Sequence, residues 1–279
     1  MPRSEAIRRP DPVGAAATSR HAAGVAVNPA GMRRSEWQVA EEVPLAILLN
    51  GEDFAVMMVT PADLEDFVLG FALTEGLVGT TDDIRKLSVT RASDGYMANV
   101  SLDPQKVEKA DGRRRRLAGR SGCGVCGAQS LAAAITKPRR VRGSLPETEA
   151  IHAAFAGFSD RQVMRRENHS THAAALCGQD GRILLIREDI GRHNALDKLA
   201  GAVARGDFDV TQSFVLLSSR VSYEMVQKSA AIGVPLVAAA SAPSALSLRV
   251  AKAADLTLVV NARDSLMYFH PKDFSESAQ

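Results

Sequence analysis

Apolar residues run from Val43 to Leu49, pause at Asn50-Gly51, and resume from Phe54 to Val59. Asn-Gly between two apolar runs predicts a tight β-hairpin. Thr60-Pro61 then predicts a helix start, with Thr60 able to cap, Pro61 suited to the first turn and Asp63 favouring the N-terminal dipole. Leu64, Phe67, Val68, Phe71 and Ala72 recur at helical spacing, and Gly76 ends the pattern. A second hairpin is predicted from Leu87–Arg91 and Tyr96–Leu102, turning at Asp94-Gly95.

Residues 103–122 are polar and basic and read as a loop, followed by a helix from Cys126 or Gly127 through Thr136. Helices are predicted at Pro146 to Phe158 and at 162–168. Beyond Thr171 strands and helices alternate. Strands fall at 172–177 and 182–187, flanking Gln179-Asp180-Gly181, then at 214–218, 236–240 and 256–260, with helices at 192–204, 223–232 and 245–253. This alternation predicts a layered α/β domain with parallel pairing.

The organisation read from these patterns has three parts. Residues 1–36 form a disordered extension, rich in Ala, Arg and Pro and without apolar periodicity. A smaller N-terminal α+β part covers 37–122, and the α/β domain covers 123–279.

Composition narrows the functional classes. A chain of 279 residues with 46% hydrophobic content is globular, and a net charge of +2 argues against a nucleic-acid binder. No apolar run approaches the ~20 residues of a membrane span, and the N-terminus lacks the apolar core of a secretory signal. Three cysteines, two of them in a C-x-x-C, point to a reducing cytoplasm.

The densest chemistry lies in Gly122-Cys123-Gly124-Val125-Cys126-Gly127, preceded by Arg113-Arg114-Arg115-Arg116 and Arg120. Guanidinium groups favour the reactive thiolate, and glycines allow close approach of a partner. A buried thiol pair, a structural zinc knuckle and a thioredoxin-like redox pair are the competing readings. Zinc would need two further ligands, and no second C-x-x-C or H-x-x-x-H exists. A redox pair would need a strand before Cys123, where the sequence has a basic loop.

Polar clusters follow the predicted strands: Glu188 to Asn194, Ser218 to Ser222, and Ser241 to Ser244. Open α/β sheets bind ligands beyond the carboxyl ends of their strands, where helix N-termini offer free N–H groups to anions. Arg192, His193, Ser219 and Arg220 are therefore candidate contacts for a phosphorylated ligand. Ser222 and Ser244 read equally well as helix caps, His172 as a core histidine, and Asp197 and Lys198 as solvent-facing charges.

Three segments together resemble the FdhD family: Cys123 to Gly127, Glu188 to Lys198, and Ser218 to Lys228, in order within about Val43 to Pro271. The resemblance implies a sulfur carrier required for formate dehydrogenase activity. Such a protein takes sulfur from a cysteine desulfurase as a cysteine persulfide. It passes that sulfur to the molybdenum bis-(guanine dinucleotide) cofactor, a bound substrate, with no structural metal. By position Cys123 matches the persulfide cysteine and Cys126 its partner, and the cofactor segment maps to Asn261, Ala262, Arg263, Asp264, Ser265 and Leu266. Asp264 and Leu266 depart from the glycine and second basic residue of the family's pattern. The resemblance also implies a homodimer and a cytidine-deaminase-like α/β fold. A cofactor-binding chaperone with dispensable cysteines is the alternative. A zinc-dependent deaminase is a further one, although Gly122 precedes Cys123 and no H-x-E lies upstream.

Overall fold

The computed structural model describes residues 16–104, 137–262 and 265–269. Two sheets stack with helices between and beyond them. The smaller sheet contains β3 (Val43–Leu49), β4 (Glu52–Val59), β5 (Ile84–Ala92) and β6 (Gly95–Leu102), in the order β4-β3-β6-β5. Both predicted hairpins are present, and β3 joins them by pairing parallel to β6. Asn50 and Gly51 both adopt positive φ, 52° and 88°, the geometry of a tight hairpin turn.

Helix α1 (Leu64–Thr74) lays Leu64, Phe67, Val68 and Phe71 on this sheet against Leu45, Ile47, Val59 and Val100. It starts at Leu64 rather than at Pro61, because Asp63 takes a left-handed conformation and caps nothing with its side chain. Thr60 is not a cap, for its polar atoms are used elsewhere, as described below.

The larger sheet has six strands: β7 (His172–Gly178), β8 (Ile183–Asp189), β9 (Ser213–Leu217), β10 (Leu236–Ala239), β11 (Thr257–Ala262) and β12 (Ser265–Phe269). Their order is β12-β11-β10-β9-β7-β8. β9, β10 and β11 are parallel as expected, whereas β7 runs antiparallel to both β8 and β9, and β12 antiparallel to β11. The layered α/β expectation thus holds with a mixed sheet. The sequence pattern does not set the edge strand β12 apart, because its five residues follow β11 after only two.

One face of this sheet is covered by α4 (Arg192–Arg205), α5 (Tyr223–Ile232) and α6 (Ala245–Ala254), through Leu196, Leu199, Met225, Val226 and Val250. The other face is covered by α2 (Thr148–Arg161), through Ile151, Ala154 and Phe158. A short helix α3 (Val163–Asn168) follows. The two sheets meet through α1 and α4, which approach so closely that glycine is required on both. A Cβ on Gly70 would lie 1.7 Å from the Asp197 carbonyl oxygen, and one on Gly201 would lie 1.9 Å from that of Asp66.

One expectation is corrected. The extension read as disordered over 1–36 contains strand β1 (Ser19–Asn28), which pairs antiparallel with β2 (Gly31–Ala40). Apolar periodicity failed as a signal because this ribbon leaves most residues on both faces exposed.

Candidate functional site

Because β8, β9, β10 and β11 point the same way, their carboxyl ends share one sheet edge with the starts of β7 and β12. Arg192 and His193 lie beyond β8, Ser219 and Arg220 beyond β9, and Asn261 and Ala262 at the end of β11. Ser265 and Leu266 open β12, opposite Ala262 and Asn261. Every described residue of the sequence-derived candidate set therefore falls on one edge. Cys123, Cys126, Arg263 and Asp264 lie outside the described residues, as do the basic loop after 104 and the helix expected up to Thr136. Strands are ~4.8 Å apart, so the ends of β8 and β9, separated by β7, lie about 10 Å apart along the edge.

The loop after β8 is pinned from beneath. Asp189 is fully buried and accepts hydrogen bonds from the Thr60 N–H at 2.9 Å, the Gly191 N–H at 2.8 Å and Asn194 Nδ2 at 3.0 Å. Its Oδ2 also lies 2.8 Å from Lys198 Nζ. Lys198 donates further to the carbonyls of Thr60 and Glu188, and Asn194 to that of Met58. The Ile190 N–H donates to Thr60 Oγ1. These bonds fix the first turn of α4, and with it Arg192 and His193, against the end of β4.

At the surface of the edge, His193 Nε2 lies 3.1 Å from Glu224 Oε2 on α5, an ion-pair distance without hydrogen-bond angles. Ser218 Oγ accepts from the Ala173 N–H and sits 3.4 Å from His172 Nδ1. Burial holds the His172 imidazole below the usual histidine range, with Arg165, Arg192 and His193 pushing the same way. His172 is thus half-buried at the candidate site rather than in the core.

Besides His193 Nε2, two polar atoms here are buried with no hydrogen-bond partner among the described residues, Arg192 Nε and Ser222 Oγ. Ser222 occupies the N-cap of α5 without capping it, whereas Ser244 does cap α6 by accepting from the Ser247 N–H. Unsatisfied buried donors are rare and call for a partner. Ser219 is buried, donating to the Arg220 carbonyl, while Arg220 is exposed.

Asp197 and Lys198, read as solvent-facing, are both buried. Asp197 faces α1 and α5, with Lys228 Nζ 2.8 Å from Oδ1 and Thr74 Oγ1 donating at 2.6 Å. Lys228 also reaches Glu75 at 3.0 Å. Burial works against the Lys228 ammonium, but the Asp197 and Glu75 carboxylates outweigh it and hold its pKa above the usual value. Sequence could not reveal this, because a charge at helical spacing looks the same whether a second helix covers it or not. Cys177 is buried in the sheet core, and burial pushes its thiol up to about 12. Among the described residues no group of three or more His, Cys, Asp or Glu side chains converges to hold a metal ion.

The fold and its edge define a layered α/β protein that gathers arginine, histidine and serine at the carboxyl ends of its strands. The chain belongs to the FdhD/NarQ family, which it matches over residues 40–273. It is 45% identical over 244 residues to the sulfur carrier protein FdhD of Cupriavidus necator, covering 86% of this chain and 85% of that one. It is also 45% identical over 237 residues to the protein of the same name from Xanthomonas euvesicatoria, covering 84% of each. A crystal structure from Desulfotalea psychrophila, described as that of a formate dehydrogenase accessory protein, superposes with a TM-score of 0.70 at 26% identity, covering 92% of this chain and 99% of that one.

Proposed function

We propose that this chain is a sulfur carrier serving formate dehydrogenase, acting as a sulfurtransferase that loads sulfur onto the molybdenum bis-(guanine dinucleotide) cofactor. Relatives covering 84–86% of the chain carry the sulfur-carrier name. The observation that carries the reading is the sheet edge, which gathers Arg192, His193 and Arg220 and leaves Arg192 Nε buried without a hydrogen-bond partner among the described residues. A guanidinium at the mouth of α4 suits a phosphate, through charged and paired hydrogen bonds. The guanine nucleotide arms of the cofactor substrate would lie here, with Ser219, Ser222 and the paired residues Asn261, Ala262, Ser265 and Leu266 beside them.

Sulfur itself would travel on Cys123. Its thiolate attacks the outer sulfur of a desulfurase persulfide; a new S–S bond forms on Cys123, and the desulfurase thiolate leaves. Cys126, three residues along the chain, would accept or resolve that persulfide by thiol exchange. No helix among the described residues is long and apolar enough to cross a membrane. We place the protein in the cytoplasm, as a homodimer, where its thiols stay reduced.

The test is sulfur trapping. Wild-type protein incubated with a cysteine desulfurase and cysteine should gain one persulfide sulfur, read by mass spectrometry, and Cys123→Ser should not. Persulfide on Cys123→Ser at the wild-type level overturns the carrier assignment. A protein that binds the cofactor yet never carries sulfur is a chaperone instead.

A further inference from the structure

The β1–β2 ribbon stands apart from both sheets. Its anchorage near α3 consists of Trp37 packed 5.4 Å from the His169 ring, and Asn168 Nδ2 donating to Ser19 Oγ. Of the large apolar side chains exposed among the described residues, half belong to it: Val25, Val27, Met32, Trp37 and Val39. A two-stranded ribbon is marginal by itself in water, and an exposed strand edge is a template for another strand. Most of this ribbon precedes residue 40, where the family match begins.

We propose that the outer edge of β2 pairs antiparallel with β2 of a second copy of this chain, centred on Ser35, making a four-stranded sheet across a two-fold axis. The β2 edge is self-complementary. Two-fold symmetry keeps each face aligned only if every residue opposes one of the same parity, because side chains alternate with period two. Among such registers, the one centred on Ser35 sets Arg34 against Glu36 of the partner subunit, twice. It also sets Arg33 against Trp37 of the partner subunit, a cation–π pair, twice. Centring on Arg34 or on Glu36 opposes like charges, and centring on Trp37 pairs neither.

The side chains are free to meet this way. Arg33, Arg34, Glu36 and Trp37 are all exposed, while Ser35 is half-buried. Among the described residues no ion pair engages Arg33 or Arg34, and Glu36 has only the distant His21 Nδ1 at 3.7 Å. An acidic protein partner would match the two arginines but would oppose Glu36, which a second copy satisfies. The assignment gives a contact to the homodimer named above, and it stands or falls separately from sulfur transfer.

Sedimentation velocity on the full chain tests it. The wild type should be a dimer. Arg34→Glu and Glu36→Arg should each weaken the dimer by about tenfold or more, since each opposes like charges twice. The exchange Arg34→Glu with Glu36→Arg should restore it. Circular dichroism should show every variant folded. A wild type that stays monomeric at the highest concentration reached overturns the proposal. So does a dimer unaffected by either single change, or one that the double exchange does not restore. Persulfide formation on Cys123, measured in the same samples, reports on the sulfur-carrier reading alone.

Discussion

Lys198 and Asp189 form an ion pair wholly out of solvent, Nζ to Oδ2 at 2.8 Å, at the point where the two sheets meet. Asp189 ends β8 of the large sheet, yet it also accepts from the Thr60 N–H, just past β4 of the small one. The pair therefore couples the position of the candidate site to the packing of the N-terminal part.

Asp189→Ala should be among the most damaging single changes. It leaves the Lys198 ammonium buried without its carboxylate and removes the acceptor of three further donors. Breaking a buried pair from one side costs about 3–5 kcal/mol. Chemical denaturation should show that loss, and a change below about 1 kcal/mol would mean that the ammonium finds water or another acceptor.

Gly201→Ala should destabilise the chain through the contact between α1 and α4. The added Cβ meets the Asp66 backbone, 1.9 Å from its carbonyl oxygen, where no side-chain rotation gives relief. Overpacking costs about 1–3 kcal/mol, and more where backbone must shift. Gly157→Ala, at a position with open space around the new Cβ, is the control and should be neutral or stabilising.

His172 makes stability depend on pH. Burial and the neighbouring Arg165 and Arg192 hold its pKa below the usual value, so the unfolded chain binds this proton more readily than the folded one. Its contribution is present above the unfolded pKa of about 6.5 and declines as pH falls through it. His172→Gln should flatten the stability profile between pH 7 and pH 5, within about that window. An unchanged slope would place the acid sensitivity in other groups.

Cys177 should resist alkylation in the folded protein. Its thiol is buried and held at about 12, so little thiolate exists near neutral pH. Iodoacetamide followed by peptide mass mapping should find Cys177 unmodified until denaturant is added. Rapid native labelling would show that the sheet opens locally.

Arg192→Ala should weaken binding of GDP by roughly tenfold or more if the edge holds a phosphate, the worth of a charge-assisted hydrogen bond. Titration calorimetry reads this directly. Equal affinity in wild type and variant would move the nucleotide away from the mouth of α4.

Much of the architecture was legible in the chain. The Asn50-Gly51 turn, the α1 stripe Leu64-Phe67-Val68-Phe71 and the alternation beyond Thr171 all follow from local rules of period and turn chemistry. The polar clusters after β8 and β9 could be placed at strand ends for the same reason. Local rules do not reach contacts between distant segments. That is why the β3–β6 pairing, the antiparallel β7 and the edge strand β12 emerged only in the fold.

Sequence by itself determined the family, the C-x-x-C segment and the residues that line the sheet edge, because each is a run of neighbours along the chain. Tertiary structure decided which charges are buried. Asp197 and Lys198 sit side by side on α4, yet each is sealed by different partners, Lys228 with Thr74 and Asp189 with Thr60. Tertiary structure also decided that the ribbon from Ser19 to Ala40 is ordered. A charge shows its burial, and an exposed strand its pairing, only when residues far away in sequence arrive beside it. The physical reason is that desolvation and backbone hydrogen bonding depend on spatial neighbours, whereas period and turn chemistry depend on adjacent residues alone.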